Sequence, residues 1–297
     1  MIAIVLGLAT SLVYGFADFF GAVSARRIPA GKVTFISGIT GLIFLIALTG
    51  IFGATFSAGA VGWGIAAGFA SAIAMSCLYA SLAIGPISIL SPVSAVVSAI
   101  VPMAFGIIVD GDTFSGLGLA ALGVILVAVF LVGFVPGDDV RLPSAKGLLL
   151  GITAGAAIGV VLICLKQAPN DSGLASVILL RAVSALLLGI TLIFGLLRRR
   201  GRAASAQASG SAPAEPAEKP SRGFWLAALA AGLFDSSANA FFLTAARLGT
   251  LTVVSVLTAL YPLGTIILAR LFLHERIAKT QIVGILLALA ACSVLTL

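Results

Sequence analysis

Apolar residues run along this chain in stretches of about 20, the length that carries a helix across a bilayer. Short polar or charged breaks separate them. Ten such stretches are marked, approximately 2–23, 33–52, 60–84, 87–109, 114–135, 144–165, 174–197, 223–248, 251–273 and 278–297. Together they consume nearly all of the chain. The longest gap, 198–222, reads RRRGRAASAQASGSAPAEPAEKPSR. Rich in Ala, Ser, Gly and Pro, it has nothing to pack against and is expected to be a flexible linker.

The pattern repeats. LYASLAIGPISILSPVSA, from Leu78 to Ala95, aligns without a gap with FLTAARLGTLTVVSVLTA, from Phe242 to Ala259. Gly85 falls on Gly249, Ser91 on Ser255 and Ala95 on Ala259, while Ser88 meets Thr252 and Ser94 meets Thr258. The first and sixth stretches extend the match, with Gly7, Ser11 and Gly15 recurring as Gly151, Gly155 and Gly159. The unit is therefore five spans long, 1–136 and 144–297, the second copy enlarged by the 198–222 loop. Because five is odd, the second copy enters the membrane from the opposite side. The predicted fold is all-α and integral to the membrane: ten transmembrane helices in two inverted five-helix repeats, a hallmark of secondary transporters.

Composition agrees, with 61% hydrophobic and 9% charged residues against roughly one quarter charged in soluble domains. No room remains for a soluble catalytic domain. The formal charge of +7 does not point to nucleic acid, since the basic residues sit in short loops between spans. Thirteen Lys and Arg fall on one side and two, Lys166 and Arg247, on the other, with Arg181 and Arg270 inside spans. That bias assigns the 198–222 loop to the cytoplasm and both termini to the outside. The first span lacks a basic leader and is expected to be kept. Cys77, Cys164 and Cys292 are scattered singly, so neither a metal cluster nor a redox pair is suggested.

The segment LGTLTVVSVLTALYPLGTIILARLFLHERIAKTQIVGILL carries a Tyr261-Pro262 step late in a span, Glu275-Arg276 at a turn, then Gln281 and Gly284 opening the last span. With the Gly-rich first span and the duplicated ten-span plan, the chain resembles the EamA-like branch of the drug/metabolite transporter superfamily. In the first copy the corresponding turn, Gly111-Asp112, matches more weakly. The resemblance implies a two-repeat carrier of small metabolites, often exported, through a cavity between the halves. It also implies cytoplasmic termini, against the loop charges.

Asp235, in GLFDSSANAFF at the midpoint of the eighth span, is the sharpest polar position. A carboxylate there costs about 2.5 to 3.5 kcal/mol on insertion scales, and such residues are functional hypotheses by default. Asn239, one turn on, shares its face, and Ser236 nearly does. Asp18 lies near the end of the first span, within reach of headgroups, with Tyr14 one turn earlier. Arg181 could hold an anionic group of a substrate or neutralise an aspartate. Where the second copy has Asp235 and Arg181, the first has Ser71 and Ser37. Ser88, Ser91, Ser94 and Ser98 match Thr252, Ser255 and Thr258, with Pro262 where Ser98 would fall. These hydroxyls either bond back to their own helices or line a midplane cavity between bent helices, beside Tyr261. Lys166, Arg247 and Arg270 read as snorkelling anchors, and Glu275 as a cap of the tenth span.

The expected protein is a secondary transporter of a small polar or amphiphilic metabolite, working by alternating access in the cell membrane, with a proton as candidate coupling ion. A carboxylate at Asp235, with Asp18 second, would carry that proton. No cofactor or metal is expected. The single histidine, His274, with Glu275 makes no metal site, and no phosphate loop is present. A lipid-linked sugar flippase, a multidrug exporter and a non-transporting receptor or structural subunit stand as alternatives.

Overall fold

A computed structural model describes residues 1–84, 87–134, 143–208, 220–272 and 278–294. They form α1 (Ile2–Ala25), α2 (Ala30–Phe52), α3 (Ala58–Ile84), α4 (Ile87–Ile108), α5 (Gly116–Gly133), α6 (Ala145–Gln167), α7 (Ala175–Ala208), α8 (Arg222–Leu248), α9 (Leu251–Thr258), α10 (Pro262–Phe272) and α11 (Lys279–Val294). With α9 and α10 taken together, nine spans among the described residues are long and apolar enough to cross a membrane, and α11 is a shorter apolar helix. Their outer surface exposes residues such as Ile43, Leu186, Phe194 and Leu226. Lipid is the solvent such a surface fits.

Two elements differ from the sequence expectation. The ninth span breaks at Ala259–Tyr261, immediately before Pro262. Proline has no N–H for the helical ladder and disfavours helical geometry in the residue before it. The gap is bridged instead by tight bonds from Leu260 N to Leu257 O and from Tyr261 N to Thr258 O, at 3.2 and 3.1 Å. The 198–222 linker is also shorter than expected, because α7 runs on to Ala208. Its Ala- and Arg-rich sequence has good helix propensity and prolongs the span. Residues 209–219 lie outside the described residues, as do Gly85 and the His274, Glu275 and Arg276 turn, so the readings placed there go without a structural counterpart.

Exchange of the two halves maps the main helix pairs onto one another. α1 lies along α8 as α6 lies along α3, α2 packs on α8 as α7 packs on α3, and α4 packs on α6 as α9 and α10 pack on α1. The pairs α2 with α7, α4 with α9 and α5 with α11 map onto themselves. Apolar burial does not hold helices together against lipid tails, so small residues at close crossings do more of that work. At the α1–α10 crossing, Gly15 and Gly264 face each other. A methyl added at Gly264 would lie 2.6 Å from the Leu12 carbonyl oxygen. Thr265 Oγ1 donates to Gly15 O at 3.1 Å across the same contact. Gly68 fits against Leu180 and Val183 as Gly232 fits against Ser37.

The loops on the face carrying the N-terminus interlock across the halves. Thr55 N donates to Ser172 O and Leu174 N to Gly53 O, both at 3.0 Å, and Ala54 pairs with Gly173 as an isolated antiparallel bridge. Gly173 has φ +55°, in the left-handed region that glycine enters freely, and a Cβ there would strike the Gly53 carbonyl. Gln167 Nε2 donates to Asp110 Oδ1 at 2.9 Å, and Thr252 N donates to Asp112 Oδ2 at 3.2 Å. Asp112 thus caps α9 from the other half of the chain. On the opposite face Ala278 N donates to Gln281 Oε1, and Gln281 Nε2 donates to Val132 O at 3.3 Å, tying the start of α11 to α5.

Candidate functional site

Arg181 stands two turns into α7 and Asp235 at the centre of α8, helices that scarcely touch each other directly. Between them runs α2, which packs on both. Its glycines make the passage narrow: Gly38 faces Ala185 on α7, and Gly41 faces Gly232 and Ser236 on α8. Arg181 closes the remaining distance, its Nη2 forming an ion pair with Asp235 Oδ2. Of the two expected roles for Arg181, neutralising an aspartate is the one the geometry displays. The side chains are 9% and 31% exposed, so the carboxylate, unlike the guanidinium, keeps a solvent-accessible edge. Arg181 Nε is buried without a hydrogen-bond partner.

Asn239 shares the Asp235 face as expected, but it is buried and its Nδ2 donates to the Asp235 carbonyl at 2.8 Å. Ser236 is fully buried in the notch beside Gly41, its hydroxyl unpartnered. Asn239 thus braces the α8 backbone at Asp235, while Ser236 fills the close crossing with α2.

Asp18 is exposed although it does not lie on the lipid-facing side of α1. At about 100° per residue, the exposed apolar residues Ile2, Val5 and Leu12 lie about 120 to 160° around the helix from Asp18. Asp18 shares its own exposed face with Ala22 and Ala25, towards the end of the helix. This second exposed face is turned away from the lipid-facing residues of α1. Tyr14 lies one turn before Asp18 on α1, the Tyr261 carbonyl packs against Gly15 of the same helix, and Phe16 and Phe20 meet Phe234, the neighbour of Asp235, at ring-centroid distances of 5.6 and 5.5 Å. Asp18 pairs with no cation among the described residues. The structure therefore gathers Tyr14, Asp18, Arg181, Asp235 and Tyr261 from α1, α7, α8 and the break between α9 and α10.

The hydroxyl stripes stand apart from that group in their bonding. Ser94 is buried and donates to Gly151 O on α6 at 2.7 Å, while Ser98 and Ser255 bond back to Ala95 O and Thr252 O. Ser91 is half-buried, and Thr258 is buried with an unpartnered hydroxyl one residue before the α9 break. The Ser88 side chain lies outside the described residues.

Lys166 and Arg247 are more than anchors. Lys166 Nζ donates to the Ala246 and Gly249 carbonyls at the end of α8, at 2.5 and 3.1 Å. Arg247 Nη2 donates to Pro169 O, Ser172 Oγ and Gly173 O at 3.2, 2.9 and 3.2 Å. These two cations, with Asp110 and Asp112, close the N-terminal face over the site. The sequence signal for them was their isolation, since charges are scarce on that face.

A helical bundle with an ion pair and a further carboxylate at its centre defines a multi-span membrane protein with a polar interior. Residues 145–297 match the EamA-like transporter family, and the chain belongs to that family. It is accordingly a membrane transporter of the drug/metabolite type, a class of carriers and not of enzymes. Curated proteins give no sequence match. A solved structure described only as the crystal structure of a protein shares the fold, with a TM-score of 0.75 at 14% identity, covering 99% of this chain and 98% of that one.

Proposed function

We propose that this transporter is a secondary active exporter of a small polar or amphiphilic metabolite, an amino acid, amine or related compound. It works by alternating access between two five-helix halves inserted in opposite directions. One observation carries the reading: a solvent-accessible carboxylate, Asp235, is held by Arg181 at the middle of the membrane-spanning bundle. Charge at that depth is costly, and partnered intramembrane charges mark substrate and ion pathways. The broken span at Ala259–Tyr261 adds support, because discontinuous helices form midplane sites in such carriers. The exchange symmetry of the helix pairs supports inverted repeats.

A proton is the proposed coupling ion, carried by a carboxylate of this group. With the face of the N-terminus interlocked and Asp18 exposed towards the other, the conformation is the one open to the 209–219 side. The loop charges make that side cytoplasmic in the cell membrane. Counterflow in proteoliposomes tests the reading, since a carrier exchanges labelled for unlabelled substrate. Uptake by Asp235→Asn that is undiminished and still proton-dependent would remove Asp235 from the mechanism.

A further inference from the structure

With both carboxylates ionised, the central group carries a net negative charge. It holds two carboxylates, Asp18 and Asp235, and one guanidinium, Arg181, and the guanidinium is already committed to Asp235. Asp18 lies exposed on the face of α1 turned from its lipid-facing residues, without a cation of its own among the described residues. A lone carboxylate in a low-dielectric interior favours a compensating positive charge. Arg181 offers something different. Its Nε–H is buried and unpartnered, a donor for an oxygen. Tyr14 lies one turn before Asp18 on α1, and Tyr261 packs its backbone against Gly15 of the same helix, so two aromatic rings suited to an ammonium flank this stretch of α1.

We propose that the cargo is a singly protonated organic amine that also carries a neutral oxygen acceptor, its ammonium placed at Asp18 between Tyr14 and Tyr261 and its oxygen towards Arg181. The proposal rests on the carrier reading and narrows it to one substrate class. A monocation brings the group to neutrality, a zwitterion leaves it negative, and an anion doubles the imbalance. Aligned position by position, the equivalent crossing of α3 and α6 carries Ser71 and Leu162 where α8 and α1 carry Asp235 and Asp18. Of these two crossings, the α1–α8 one carries the charges.

The test uses the full chain in detergent and four probes of similar shape: protonated 2-amino-1-phenylethanol, zwitterionic phenylalanine, anionic 3-phenylpropanoate and neutral 1-phenylethanol. Thermal unfolding reads binding and, in the same trace, whether each variant is folded. The amine alone is expected to raise the melting temperature of the wild type. Asp18→Asn weakens its binding about 10- to 100-fold, the scale of a charge-assisted hydrogen bond, and Asp18→Glu recovers part of it. Equal stabilisation by the zwitterion or the anion, full amine affinity in Asp18→Asn, or no response to the amine would overturn the proposal. Counterflow then separates the two readings. Exchange of the anion or the neutral probe leaves the carrier standing without the cation site; Asp18-dependent amine binding without exchange leaves the cation site standing without the carrier.

Discussion

Arg181 on α7 and Asp235 on α8 form an ion pair around the edge of α2, through a gap that Gly38 and Gly41 keep narrow. In the first copy of the repeat these two positions are Ser37 and Ser71. Ser37 has a separate use, its hydroxyl donating to Ala228 O at 2.9 Å. The ion pair therefore has no counterpart at the aligned serines.

Removing one partner leaves the other unpaired in the bundle. Arg181→Met and Asp235→Asn are each expected to destabilise by about 3 kcal/mol, the low end for buried pairs because Asp235 is partly exposed. The double variant regains most of that loss while remaining inactive. A double-mutant cycle of melting temperature, run beside counterflow, checks both halves of this statement.

The contact of Gly15 with Gly264 leaves no space for side chains. Gly15→Ala should cost about 1–3 kcal/mol through overpacking, and Gly15→Leu should prevent accumulation of folded protein. Thermal unfolding and the monodisperse fraction after solubilisation provide the measurement. An unchanged melting temperature for Gly15→Ala would contradict the crossing described.

Pro262→Ala restores an N–H at the break between α9 and α10. The variant should fold with stability within about 1 kcal/mol of the wild type, because tight bonds already bridge the gap and alanine suits a helix. Its transport rate should fall several-fold as the break straightens. Counterflow at wild-type rates would mean that the discontinuity is incidental.

Closure of the N-terminal face depends on Gly173. Gly173→Ala combines a disfavoured φ with a clash at Gly53, and should weaken the loop by about 1–2 kcal/mol. In a background with Cys77, Cys164 and Cys292 replaced, a Thr55→Cys probe should then react faster with an impermeant maleimide. Asp112→Asn, which removes the charge at the N-terminus of α9, should produce a smaller increase.

Orientation is read by reporters. Alkaline phosphatase joined after Leu297 should be active and green fluorescent protein there dark, whereas a reporter within 209–219 should show the reverse. A fluorescent C-terminal fusion would turn the whole chain over and make Lys166 and Arg247 cytoplasmic.

The spans were legible because twenty apolar residues have few other places to go, and the positions of Asp18, Arg181 and Asp235 stood out against that background. Depth along each helix was legible too. Rotation and neighbours were not. Arg181 has two readings in the sequence and one partner in the fold, where α2 lies between α7 and α8, and the Ser94 hydroxyl, read as either helix-bonded or cavity-lining, donates to Gly151 O on α6. Lys166 and Arg247 read as anchors because a charge near a span end snorkels by default, while their true partners are carbonyls brought close by loops distant in sequence. The extension of α7 to Ala208 followed helix propensity, which a low-complexity reading of 198–222 had discounted.

By itself, the sequence determined that this protein lives in lipid, crosses it in many helical spans and carries its few interior charges at fixed depths. Those properties depend on composition and spacing, which are local. Only the tertiary structure decided that Arg181 belongs to Asp235, that Asp18 is turned from the lipid-facing side of α1, and that the loops of one face interlock. Each depends on how helices are rotated and which of them meet, and that is set by close contacts such as Gly15 on Gly264, between residues that are far apart along the chain.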